Sequence, residues 1–135
     1  MAPEVSPFTP AWATGYQFSQ TVAEGDLVVA SGQAGFRDDG SLVDGFEGQL
    51  RQALANLDAA LRAQGASLDS VLRLTTYLAD PADYATFKAV RAELISAPYP
   101  ASTAVVVGFV FPGMVVEVEA IASRRGPRTL VADAP

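Results

Sequence analysis

Glu117 and Glu119 are the residues in this chain best placed to do chemistry. In the run from Val115 to Ala122, Val116, Val118 and Ala120 alternate with Glu117, Glu119 and Ile121. A strand with this pattern holds the two carboxylates roughly 7 Å apart on one face. Such a pair can transfer protons and orient water, or it can be two solvated side chains. What is missing narrows the chemistry further. The chain has no histidine and no cysteine. That removes disulfides, thiolate nucleophiles, thiolate metal sites, the commonest general base and every Ser-His triad. Carboxylates, hydroxyls, backbone groups and bound water remain.

The elements that position these residues can be read from hydrophobic spacing. Residues 1–14 hold Pro3, Pro7 and Pro10 and read as an irregular arm. Residues 16–22 are a candidate first strand, and Glu24-Gly25-Asp26 a turn. Leu27 to Ala30 is an apolar strand that runs into Ser31-Gly32-Gln33. A glycine there is either a bulge or strand end, or a place where backbone approaches a ligand. Phe46, Leu50, Ala53, Leu54, Leu57 and Leu61 recur at helical spacing, with Gly65 as the stop. Val71 to Leu78 is a strand. Asp80-Pro81 opens a second helix whose one face carries Tyr84, Phe87, Val90, Arg91 and Leu94. Thr103 to Val107 and Val115 to Ala122 are the last strands. Residues 15–125 thus read as one domain, and 126–135 as a loose tail. Each helix has a single apolar face, so both are expected on one side of a mixed sheet. The other sheet face is not fully polar and is expected to be covered by further subunits.

A chain of 135 residues, half of them hydrophobic, suits one compact domain. Only 18% are charged, below the usual share of roughly 25%, which again suggests surface covered by a partner. The net charge is −6, Lys88 is the lone lysine and the arginines are scattered. Nucleic acid and anionic membranes are therefore not expected partners. No apolar run approaches the ~20 residues of a membrane span, and Met1 to Pro10 lacks the features of a signal peptide. A cytoplasmic location is expected.

Six segments stand in order along nearly the whole chain: Phe18-Ser19-Gln20, Val28-Val29-Ala30-Ser31-Gly32-Gln33, Gln52-Ala53-Leu54-Ala55-Asn56-Leu57, Thr75-Thr76-Tyr77-Leu78, Tyr99-Pro100-Ala101 and Val116-Glu117-Val118-Glu119-Ala120-Ile121-Ala122. Together they resemble the Rid (YjgF-like, reactive-intermediate deaminase) family. The resemblance implies a chorismate-mutase-like α+β fold, a mixed sheet with two helices on one face. It also implies a homotrimer with small-molecule clefts between subunits, hydrolysis of reactive enamines and imines, and no metal or organic cofactor.

Carried over residue by residue, the resemblance makes Glu119 the acid that protonates carbon and positions water. Apolar walls would raise the pKa of such a carboxyl. Gly32 supplies a backbone contact, and Phe18 stands where the family has a tyrosine. The chain departs from the family at Ser102, which occupies the position of an arginine that clamps the substrate carboxylate. A hydroxyl supplies neither the charge nor the fork of a guanidinium. Ser102 and Thr103 can donate hydrogen bonds to a substrate or be ordinary strand residues. Phe109 and Phe111 can wall a cleft or pack against core or neighbouring subunit, and Phe36 and Tyr99 carry the same ambiguity. Two functions follow from the resemblance. One is an enzyme that processes an imine or enamine lacking the usual carboxylate, with Phe18 and the Phe109/Phe111 region as walls. The other is a non-catalytic trimer that binds a metabolite or has a regulatory role, for which Ser102 is the reason.

Overall fold

The computed structural model describes residues 2–132. Its strands are β1 (Glu4–Val5), β2 (Thr21–Glu24), β3 (Leu27–Gln33), β4 (Val71–Leu78), β5 (Ala101–Val106) and β6 (Val116–Ser123), and its helices are α1 (Phe46–Arg62) and α2 (Tyr84–Leu94). The strands form one sheet in the order β1-β2-β3-β6-β4-β5. Among the described residues only β4 and β5 run parallel; α2 is their crossover. The last strand in sequence, β6, lies in the middle of the sheet, antiparallel to β3 on one side and β4 on the other.

Both helices cover the same sheet face, as their single apolar stripes require. Leu50, Leu54, Leu57 and Leu61 of α1 and Phe87 and Val90 of α2 meet Val28, Val71, Leu74, Val116 and Val118 in one core. Asp80 caps the turn that leads into α2, accepting a hydrogen bond from the Ala82 backbone N–H, with Pro81 at the first position. Among the described residues nothing covers the opposite sheet face. Leu27, Val29, Val105 and Ile121 stand exposed on it, beside Thr75, Tyr77, Glu117 and Glu119.

Beyond shifts of one or two residues at the ends of β5 and β6, three local readings change. The first long strand starts at Thr21 rather than at residue 16, because Tyr16 and Phe18 turn their rings toward a cavity instead of joining a ladder. The arm is not wholly irregular: Glu4 and Val5 pair with Ala23 and Val22 of β2. The segment after β6 is anchored at Arg128. Its guanidinium donates to the carbonyls of Pro98, Leu68, Val71 and Ser96, at 2.6–3.1 Å. Charge-assisted bonds of this kind hold a chain end firmly even without secondary structure.

Candidate functional site

The site grows from a defect in β3. The ladder with β6 shifts register between Ala30 and Gln33, so Ser31 and Gly32 form a bulge. Glutamine pairing fixes the bulge from behind: the buried Gln33 side chain donates to the Gln20 side chain at 2.8 Å, and the Ser31 backbone N–H donates to the Gln20 carbonyl at 2.9 Å. Gly32 then lies directly under Glu117. A Cβ at Gly32 would come within 2.8 Å of Glu117 Cδ. The glycine is therefore a place where a side chain from the next strand closes over bare backbone.

Opposite Glu117, in register on β4, is Tyr77. Its hydroxyl donates to Glu119 Oε1 at 2.6 Å. Two carboxylates and one phenol thus share the open sheet face. Glu117 is half-buried in a cavity with Tyr77, Phe109, Phe111 and Met114. Burial, and after it the charge of Glu119, pushes the Glu117 carboxyl above its ordinary value. The Tyr77 phenol is pushed up too, first by its bond to Glu119 and then by burial. It stays a donor. Glu119 opens on the other side, onto a groove with Val29, Arg73, Thr75 and Ile121.

The remaining candidates separate by face. Thr103 is paired with Thr75, which is paired with Glu119, so these three side chains form a row across β5, β4 and β6. Ser102 is paired with Leu74 and faces the helices. There the Arg91 guanidinium of α2 donates to the Ser102 hydroxyl at 3.0 Å. Within one chain Ser102 and Glu119 are on opposite sides of the sheet. Phe109 lies in the Glu117 cavity. Phe18 lies in a second cavity of about 290 Å³, lined also by Trp12, Tyr16, Phe36, Gly40 and Phe111.

Helix α1 positions the loops that carry these rings. Asn56 donates to the carbonyls of Ala34 and Phe36, at 3.0 and 2.9 Å. Gln49, buried, donates to the Gly113 carbonyl at 2.9 Å and accepts from the Val115 backbone N–H at 3.0 Å. It thereby ties the Phe111 turn and the start of β6 to the helix.

Sequence reasoning passed over Tyr77, Trp12 and Tyr16. The alternation of β4 does carry the signal for Tyr77, since it shares a parity with Arg73 and Thr75 on the face of the glutamates. Nothing in the spacing of the arm marks Trp12. Among the described residues no group of three His, Cys, Asp or Glu side chains is arranged to hold a metal ion.

One mixed sheet, two helices on a single face and a carboxylate pair on the bare face define a small α+β protein whose polar site lies on an uncovered surface. The family model described as Endoribonuclease L-PSP matches residues 9–124. The chain belongs to this family, whose members also carry the names Rid, RutC and YjgF. It is 38% identical over 92 residues to the RutC family protein YjgH of Escherichia coli, covering 67% of this chain and 70% of that one. It is 34% identical over 108 residues to the chloroplastic Reactive Intermediate Deaminase A of Arabidopsis thaliana, covering 78% and 58%. The crystal structure of RidA from an Antarctic Psychrobacter superposes with a TM-score of 0.83 at 36% identity, covering 89% of this chain and 98% of that one.

Proposed function

We propose that the protein hydrolyses a reactive imine or enamine by carboxylate and water chemistry, as a homotrimer with its sites at subunit interfaces. One observation carries the reading: Glu117 and Glu119 share a face with Tyr77 over the Gly32 bulge, one carboxyl with its proton affinity raised and the other held by a phenol. In the reaction, water adds to the C=N carbon, a proton passes to nitrogen, and the carbinolamine collapses to a carbonyl compound and ammonia. Glu117, protonated more readily than an exposed carboxyl, donates the proton. Glu119, oriented by Tyr77, accepts a proton from the attacking water. An enamine first takes a proton at carbon and then follows the same path. The apolar residues of the bare sheet face, Leu27, Val29, Val105 and Ile121, support its covering by further copies of the chain. Neither carboxylate step requires a cofactor.

The relative named as a reactive intermediate deaminase supports the reaction class. Binding without turnover is the second reading. The observation that favours it is Ser102, which the family resemblance puts at the clamp position and whose hydroxyl is engaged by Arg91 on the helix side. The deciding experiment is an ammonia-release assay on generated imines and enamines, charged and neutral, with wild type and Glu119→Gln side by side. Release that falls at least tenfold in the variant supports hydrolysis. Release from no substrate above background supports the binding reading. The net charge of −6 argues against RNA as the substrate.

A further inference from the structure

Beside the carboxylate cavity, five aromatic rings close around one space. Trp12 stacks on Phe36 with centroids 5.5 Å apart. Phe111 meets Phe36 edge-on at 6.0 Å and Tyr16 edge-on at 6.1 Å. Tyr16 leans on Phe18 at 6.0 Å. They come from four separate stretches of chain, so nothing local obliges them to meet. Their apolar surface is not spent on the core: Tyr16 is 51% exposed, Phe18 47% and Phe111 41%. No charged side chain lines the cavity.

Phe111 belongs to both cavities, to the ring cluster and to the space that holds Glu117, Tyr77 and Phe109. A molecule whose reacting carbon lies at the carboxylates therefore has the ring cluster next to it. The cluster, at about 290 Å³, is near the lower end of the roughly 300–1,000 Å³ of small-molecule pockets, and takes one ring system. It presents both ring faces and ring edges, which is what a flat aromatic guest meets favourably.

We propose that this cluster is a specificity pocket for an uncharged aryl group, so that the substrate is an imine or enamine bearing an aromatic ring and no carboxylate at that end. The assignment rests on the hydrolytic reading for its reacting group, but the pocket can be tested without turnover. Trp12 is the only tryptophan in the chain, and it lines the cavity, so its fluorescence reports occupancy directly.

The test has a binding arm and a turnover arm. Benzamide, titrated into the full-length protein, should change Trp12 emission saturably, while acetamide at the same concentrations should not. Phe36→Leu and Tyr16→Leu should each weaken benzamide about fivefold, the scale of one lost aromatic contact. Tyr16 is exposed, so its variant is expected to fold normally. In turnover, 2-phenylethanimine and butanimine, generated in situ by an amine oxidase, should differ at least tenfold in kcat/KM in favour of the aryl compound. Each variant should cut that preference about fivefold, lowering kcat/KM for the aryl imine more than for butanimine. A Trp12 signal indifferent to benzamide, or an aryl preference undiminished by either substitution, overturns the assignment. So does a signal that follows protein concentration alone, which would make the cluster a contact between copies. Absence of turnover with either imine defeats the hydrolytic reading only; the benzamide titration still decides the pocket.

Discussion

At the scale of single residues, the contact between Gly32 and Glu117 couples backbone to acid. A methyl group at residue 32 would meet the mobile end of the Glu117 side chain, not backbone. Gly32→Ala should therefore fold with a stability within about 1 kcal/mol of wild type, since only a flexible carboxyl must move. It should nonetheless lower ammonia release at least fivefold, because the displaced group is the proposed proton donor. Paired melting curves and the release assay check this; a large loss of stability would show that the bulge itself cannot admit a side chain. The raised proton affinity of Glu117 has a thermodynamic sign. A carboxyl whose folded-state pKa exceeds its unfolded value, about 4.3, holds its proton more tightly in the folded protein. Its contribution to stability is present at low pH and is lost as pH rises through the window between the two values. Glu117→Gln, neutral throughout, should melt higher than wild type at pH 7.5, and the difference should shrink toward zero at pH 4. A difference independent of pH would mean the carboxyl is not perturbed.

At the scale of elements, α1 is both the core helix and the mount for the site's loops. Gln49→Ala removes the partners of the Gly113 carbonyl and the Val115 N–H together. It should cost about 2 kcal/mol, the order expected when buried backbone groups lose their bonds, with looser amide protection at the start of β6 in hydrogen exchange. Protection unchanged at Val115 would show that the strand holds itself. Element scale is also where sequence reading succeeds and stops. The limits of β4 were legible, and those of β6 to within one residue at each end, because Leu74, Thr76 and Leu78, and Val116, Val118 and Ala120, alternate with outward residues. The α1 stripe was legible for the same reason at helical spacing. The face of Ser102 was not. The segment Ala101–Val106 is small and β-branched throughout, on an edge strand exposed on both faces, so polarity does not distinguish its sides. The glutamates were legible as a pair, but the proposed division of labour, with Glu117 rather than Glu119 as proton donor, was not. It depends on which one the Phe109–Met114 loop covers, and loop placement is written in long-range bonds such as those of Gln49.

At the scale of the whole molecule, the bare sheet face is where the proposed trimer would form. Val29 is 53% exposed in the middle of that face. If the proposed trimer forms through this face, Val29→Arg should leave the monomer fold intact and shift sedimentation from trimer toward monomer, since a charge there would be buried without a partner. An unchanged sedimentation profile would place the interface elsewhere. Strand order has a separate consequence, for how the protein is made. The central strand β6 is synthesised last, after everything it joins. Until residues 116–123 leave the ribosome, β1-β2-β3 with α1 and β4-α2-β5 are two half-sheets, each with a raw edge waiting for the same strand. Both carboxylates ride on that strand, so its insertion closes the sheet and brings the proposed chemistry with it. A chain cut in the turn before β6 would therefore part the two half-sheets from the strand that joins them and from both candidate carboxylates.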